Sequence, residues 1–443
     1  MLEIPEGLEK KYETAVLLLK KHDKFRIITH YDADGISAAA VLSRALMKEQ
    51  KGFHTTFVHK IPDEIEDNLP IIFADVGNSQ LEGIVDLDAD VIVLDHHKVP
   101  DPKDYDAEGK VFINPHDYGI DGAQEVSGGT LAFILAVYFD EKNWKKAIYG
   151  LAGAAADKQN IGGFKGLNEK ILLEAVDRNV LDIKNGLLID GEGIKDALLK
   201  ACDPYFPGIS GRVRAIENIL DKIGIDPETP VDEIPMDKER KLNSLLMLSL
   251  FKKNIPSHVV ESVRGERYFA GRENLDIDFL YKLLNACSRV DKPGIGLSLC
   301  LGDDKIFQEA VDIRDEYRSK MVERLIELED GGIEQLENIQ YFYEERKTRK
   351  GELAGLGMLY FFEQDKPTLG LTENGDDVDI SCRGTKNLVD SGLDLGKLSR
   401  KLASSFGGSG GGHDIAAGAT VPKDKIDEFL EEMSVEVGKS LKA

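Results

Sequence analysis

Eight side chains that bind hard or borderline metal ions recur in one context, just beyond a short apolar run. Val91 to Leu94 is four consecutive branched residues that break at once into Asp95-His96-His97. Phe25 to Thr29 leads into His30-Tyr31-Asp32-Ala33-Asp34-Gly35, and Pro70 to Ala74 leads into Asp75. The small-residue stretch Gly150 to Ala156 leads into Asp157. Carboxylates meet the oxygen preference of divalent cations, and imidazoles among them favour Mn²⁺ over Mg²⁺ or Ca²⁺. Two such ions roughly 3.5 to 4 Å apart can activate a water and stabilise a leaving oxygen. Plainer roles stand beside this one: Asp-Ala-Asp-Gly as a surface turn, Asp75 as a helix cap before Gly77-Asn78-Ser79, the histidine pair as a sheet rim.

For these groups to meet, the runs must be buried strands whose carboxyl ends share one rim, which is where open α/β sheets place their chemistry. The spacing predicts a covering helix over residues 7 to 22, a helix over Ile36 to Met47, and strands over Phe53 to His59 and Val111 to Asn114. Neighbouring histidines in a strand would point to opposite sides. Pro115-His116-Asp117 leaves the last of these strands toward the same rim, so His116 and Asp117 are candidates for substrate or supporting contacts. Ser127-Gly128-Gly129-Thr130 opens a helix through Phe139 and offers an anion site at its start. A helix from Trp144 to Ala156 carries Asp157, and Leu167 to Val176 is a further covering helix.

The middle of the chain lacks strands ending in acids; helices such as Val213 to Ile223 and Lys238 to Phe251 alternate with Pro- and Asp-rich connections. Further helices are expected over Phe279 to Cys287 and Phe307 to Leu328. Strands are expected at Ile339 to Tyr343, Gly357 to Phe362, Thr368 to Leu371 and Val378 to Gly384, and helices at Leu393 to Ser405 and Asp424 to Val435. Between those two helices, Gly407-Gly408-Ser409-Gly410-Gly411-Gly412-His413 runs on into Ile415-Ala416-Ala417-Gly418-Ala419. A flexible linker would not continue into so apolar a run, so a backbone nest for phosphate is the better reading.

The order HxDxDG, lone Asp, Asp-His-His, further Asp is similar to that of the DHH phosphoesterase superfamily. The glycine run with Arg383 resembles the DHH-associated C-terminal domain. Asn285-Ala286-Cys287-Ser288-Arg289, with Gly294-Ile295-Gly296, resembles the interdomain region of archaeal RecJ-like exonucleases of the GINS-associated type. The resemblance implies a parallel-sheet catalytic domain over 1–190, a helical insertion over 191–275, connecting helices over 276–335, and a smaller α/β substrate-binding domain over 336–443 across a cleft. It implies two divalent ions, Mn²⁺ in preference to Mg²⁺, held by His30, Asp32, Asp34, Asp75, His96 and Asp157. Asp75 would bridge both ions and His97 would face the substrate phosphate. His116, Arg383, Gly410, Gly411, Gly412 and His413 would hold the substrate. The activity implied is a phosphodiesterase and single-strand exonuclease on DNA or RNA, linked to replication or repair. The alternatives are an oligoribonuclease or dinucleotide phosphodiesterase, and a noncatalytic replisome scaffold. A GINS-type partner is expected on 191–275.

At 443 residues the chain exceeds one ordinary core. A net charge of −24 argues against binding nucleic acid through a broadly basic surface, although bound cations and one local basic patch can draw a phosphodiester. Four scattered cysteines lack metal-ligand spacing and fit reduced thiols in a cytoplasmic protein. No apolar run approaches ~18 residues, and Glu3, Pro5 and Glu6 do not suit a signal peptide, so neither a membrane span nor a leader is expected.

Overall fold

The chain begins with α1 (Glu6–Lys21), whose Leu8, Tyr12, Ala15, Val16 and Leu19 recur at helical spacing and are buried. The computed structural model describes residues 2–99, 107–253, 255, 257–261, 263–270 and 275–441. β1 (Lys24–His30), α2 (Ala33–Lys48), β2 (Gly52–Val58), β3 (Ile71–Ala74), α3 (Leu81–Val85), β4 (Val91–Leu94) and β5 (Lys110–Ile113) follow. The strands form one parallel sheet in the order β2-β1-β3-β4-β5. In β3 and β4, Ile72, Ala74, Ile92 and Leu94 face one apolar layer, while Ile71, Phe73, Val91 and Val93 face another. Burial on both faces is why these runs are continuously apolar instead of alternating.

α4 (Gly128–Phe139), α5 (Ala147–Ala156) and α6 (Gly166–Asp177) cover the first layer with α1 and α2. The helix expected from Trp144 is interrupted. Asp140 closes α4 and accepts a hydrogen bond from Lys142 N, so Glu141–Lys146 winds as a 3₁₀ turn and α5 starts at Ala147. β6 (Leu181–Leu187) was not expected, because Leu-Asp-Ile-Lys-Asn-Gly-Leu shows neither alternation nor an apolar run. The middle of the chain is helical: α7 (Ile194–Leu199), α8 (Val213–Ile223), α9 (Met236–Phe251) and α10 (Ser257–Glu261). β7 (Arg264–Ala270) and β8 (Leu275–Asp276) then form a three-stranded sheet with β6, followed by α11 (Ile277–Arg289), α12 (Pro293–Cys300) and α13 (Phe307–Glu329).

A mixed sheet of six strands, in the order β13-β14-β12-β11-β10-β9, ends the chain. Its elements are β9 (Glu334–Gln335), β10 (Gln340–Tyr343), α14 (Lys350–Tyr360), β11 (Thr368–Asn374), β12 (Asp377–Arg383), α15 (Lys386–Asp390), α16 (Leu395–Ser405), β13 (Ser409–Gly412), β14 (Ala416–Pro422) and α17 (Ile426–Ser440). Leu369, Leu371, Val378, Ile380 and Cys382 form its core with α16 and α17. Two expectations are corrected here. Gly357 to Phe362 is not a strand but the last turn of a helix that ends at Tyr360 and the two residues after it, since Leu353, Leu356 and Tyr360 are buried at helical spacing. The glycine run is not a loop nest but an edge strand paired antiparallel with β14. Its glycines admit α16: a Cβ at Gly410 would lie 2.5 Å from Ser399 O, and one at Gly396 would overlap Gly412 O.

The protein is therefore α/β, with a parallel five-stranded sheet, a helical middle and a mixed C-terminal sheet. It divides into two compact units, residues 1–188 with 265–315 and residues 189–264 with 316–443. Among the described residues no helix is long and apolar enough to cross a membrane.

Candidate metal centre

The strand order reverses direction between β1 and β3, the point at which open α/β sheets leave a crevice at their carboxyl ends. His30 is the last residue of β1, Asp32 caps α2 by accepting from Gly35 N at 3.0 Å, and Asp34 lies in the first turn of that helix. Asp75 follows β3 at φ 59°, a left-handed conformation that costs a non-glycine residue roughly 1–3 kcal/mol and is typical of functional turns. Asp95, His96 and His97 follow β4, and Asp157 ends α5.

These residues meet in three overlapping groups: His30, Asp32 and Asp75; Asp34, His96 and Asp157; and Asp75, His96 and His97. His30 Nδ1 is 2.8 Å from Asp32 Oδ2 and 3.5 Å from Asp75 Oδ2. His96 Nε2 is 3.2 Å from Asp75 Oδ1, 3.4 Å from Asp157 Oδ2 and 3.7 Å from Asp34 Oδ2. Asp75 thus presents one oxygen to each of the first two groups. The histidines do not point to opposite sides of a strand. They lie beyond β4, with ring centres 4.3 Å apart. His97 Nδ1 is held 2.8 Å from Asp95 Oδ1, and the ring is 58% exposed, so it is open to an incoming molecule.

Divalent ions fit this donor set. Both Asp75 carboxylate oxygens, His30 Nδ1 and His96 Nε2 are buried without a hydrogen-bond partner among the described residues. His96 Nδ1 lies 2.6 Å from Gly122 O; a carbonyl only accepts, so the proton sits on Nδ1 and the neutral ring turns the Nε2 lone pair toward three carboxylates. Lone pairs facing oxygens repel unless a cation or a proton lies between them. Without cations, protons must fill that role. Burial disfavours charged His30, yet Asp32 and Asp75 push it up to about 11. Burial and the Asp75 charge push Asp34 up to about 7. Asp157 is also raised, by burial and Asp34. Against burial, His30 and His96 hold Asp75 well below the usual carboxylate range. His97 is raised by its hydrogen bond to Asp95.

Several residues that sequence reasoning missed hold this arrangement. The start of α4 is an anion site, but its anion is Asp34, which receives Ser127 Oγ at 2.8 Å, Gly128 N at 2.7 Å and Gly129 N at 2.9 Å. A glycine-rich helix start was the legible signal; that a carboxylate of the chain itself fills it was not. Asn78 fixes the Asp-His-His turn: its N donates to Asp95 Oδ2 at 2.8 Å and its Nδ2 to Asp95 O at 2.9 Å and His97 O at 2.7 Å. Gln159, whose Nε2 donates at 3.0 Å to Gly122 O, the carbonyl that also takes the His96 proton, gives no motif signal at all. His116 supports the same turn, its Nε2 lying 3.1 Å from His96 O. Asp117 is in the 3₁₀ turn after β5, and burial raises its carboxyl. Arg383 ends β12 in the second unit, with Nη1 donating to Cys382 O. Gly410, Gly411 and Gly412 form β13, and His413 is exposed just beyond it.

The family profile described as the DHH family N-terminal domain matches residues 24–156, and that of the DHHA1 domain matches residues 338–439. An uncharacterised protein of Methanocaldococcus jannaschii is 31% identical over 437 residues, 96% of each chain. Among solved structures, CDC45 from Entamoeba histolytica superposes with a TM-score of 0.66 at 12% identity, covering 99% of both chains. RecJ from Thermus thermophilus in complex with Mn²⁺ superposes with a TM-score of 0.60 at 15% identity, covering 99% of this chain. The chain spans 56% of that RecJ's length. At these identities the structural likenesses establish a common fold.

Proposed function

From the premise that this chain belongs to the DHH phosphoesterase superfamily, we propose that it is a two-metal phosphodiesterase acting as an exonuclease on single strands of DNA or RNA. The observation that carries the reading is the pair of ligand groups that share Asp75, with buried lone pairs that no hydrogen bond among the described residues satisfies. His30, Asp32 and Asp75 would hold one ion, and Asp34, His96, Asp157 and Asp75 the other. The ions would supply an activated water and charge stabilisation. The chain's own groups do the rest: Asp95 aims His97, whose exposed ring donates a hydrogen bond to a phosphate oxygen as negative charge builds on it. Arg383 and the residues around β13 would grip the substrate backbone. A RecJ described as an exonuclease and bound to manganese shares the fold over 99% of this chain, which supports a strand over a small ester as substrate.

The test is incubation with end-labelled DNA, RNA and dinucleotides in Mn²⁺. A ladder of mononucleotides growing from one end of a strand is expected. Cleavage of dinucleotides alone would give the small-substrate reading, and no hydrolysis of any would give the scaffold reading. A GINS-type assembly factor is the partner we propose for the middle segment. Its support is that α9 buries Leu242, Leu246 and Leu250 while exposing Leu245, Leu248 and Phe251 as a second apolar face. Leu248→Glu with Phe251→Glu should abolish pull-down of the host factor and spare hydrolysis; retained pull-down would refute the assignment.

A further inference from the structure

We infer that Gln159 is a positioning residue that assembles one of the two ion subsites, the group Asp34, His96 and Asp157, and leaves the other untouched. The inference rests on the two-metal reading above. Gln159 and Asn168 are buried, at 4% and 0% exposure. Asn168 Nδ2 donates to Gln159 Oε1 at 2.6 Å, which fixes the amide's orientation and commits both Nε2 protons as donors. One goes to Gly122 O at 3.0 Å and the other to Val126 O at 3.1 Å.

Each acceptor leads to a different ligand. Gly122 O also accepts the proton of His96 Nδ1, so its position sets the ring's tautomer and aims Nε2. Val126 immediately precedes Ser127, Gly128 and Gly129, the three donors that clasp Asp34. Gln159 itself stands two residues after Asp157. Between them Lys158 adopts φ 61°, turning the chain so that the amide folds back under the cluster. A single planar amide therefore ties together the three ligands that this subsite does not share, while among the described residues no side-chain hydrogen bond of Gln159 or Asn168 reaches the supports of His30 or Asp32. Replacing the amide frees two carbonyls that hold His96 and Asp34 in register, and supporting groups of this kind typically alter metal affinity about 10- to 100-fold.

The experiment is Mn²⁺ titration of the full chain by calorimetry, with low-temperature electron paramagnetic resonance of the loaded protein. Wild type should take up two ions and show an exchange-coupled pair. Gln159→Leu should keep one ion within about twofold of its wild-type affinity and bind the second at least about tenfold more weakly, with isolated Mn²⁺ replacing the coupled signal. Asn168→Ala leaves Gln159 in place but unlocks its amide. It should show the same selective loss at about threefold or more, and it serves where Gln159→Leu does not fold. Equal weakening of both ions, or no weakening, in a variant that melts cooperatively overturns the inference and leaves the two-metal reading standing. Uptake of fewer than two ions by wild type overturns both.

Discussion

Gly153 lies in the middle of α5, and an added Cβ there would overlap Asp34 Oδ1 and sit 3.1 Å from both Cβ and Oγ of Ser37. Gly153→Ala should therefore act on a ligand it does not itself contain. An alanine in a helix interior gains about 1 kcal/mol over glycine. Overpacking a buried site costs about 1–3 kcal/mol, and weakening a charge-assisted bond costs about 1.5–3 kcal/mol. The costs win. The carboxylate must move by about 1 Å or more to restore an ordinary carbon–oxygen separation, straining its bonds from Ser127, Gly128 and Gly129. A displacement of that size costs about 100-fold in rate where geometry sets reactivity. Differential scanning calorimetry of the metal-free chain should show the first unit melting roughly 5–10 °C lower. Calorimetric titration should show Mn²⁺ binding weakened at least about tenfold. Among the described residues nothing beyond the local backbone of α14 lies within 4 Å of a Cβ added at Gly355, so Gly355→Ala is the control and should raise the melting of its unit by roughly 2–4 °C. Wild-type Mn²⁺ affinity and an unchanged or raised melting temperature in Gly153→Ala would refute the packing of α5 against Asp34.

Asp75→Ala should abolish hydrolysis while far-ultraviolet circular dichroism stays native, because the side chain serves two ligand groups; activity above roughly a tenth of wild type would rule out the shared role. Stability should depend on pH in opposite senses without and with metal. Asp34 moves from 3.8 to about 7 and His30 from 6.5 to about 11, so the native state holds protons the unfolded chain has lost, and metal-free stability falls as pH rises through 4 to 7 and on through 6.5 to 11. Mn²⁺ needs deprotonated ligands, so the thermal shift it produces should grow between pH 6 and 9; a shift independent of pH would contradict proton compensation at the site. Arg383→Ala should raise KM more than it lowers kcat, as expected of binding remote from the reacting atom; a fall in kcat at constant KM would place the guanidinium at the attacked phosphate.

The strands that carry the ligands were legible because a parallel sheet buried on both faces writes continuous apolar runs, and each such run here stops at a polar cluster. Gly357 to Phe362 misled because a short apolar run has no period of its own; burial of Leu353, Leu356 and Tyr360, set by packing on β11 and β12, decides for helix. β6 was invisible because four of its seven residues are exposed and leave no pattern. The glycine run suggests a loop because glycine has low strand propensity, whereas here the close approach of α16 is what demands it.

The divide within the metal centre follows the same logic. A ligand is legible when it must be one of a few side-chain types at a fixed place relative to a strand end, as with His30, Asp75 and His96. A support is not, because its task is to offer a donor or an acceptor at a point in space, and many residue types at many chain positions can do so. Asn78 and Ser127 bond carboxylates 17 and 93 residues away, and Gln159 bonds carbonyls 37 and 33 residues away. Only the folded chain brings those pairs together, so no local spacing records them. The supports also divide by target. Asn78 pins the turn that carries His96 and His97, whereas Gln159 reaches His96 and Asp34 through backbone carbonyls. His96 is therefore fixed from both directions, from the backbone by Asn78 on the flanking carbonyls and His116 on its own, and from the ring by Gly122 O, so loss of one support alone should leave the ring partly guided.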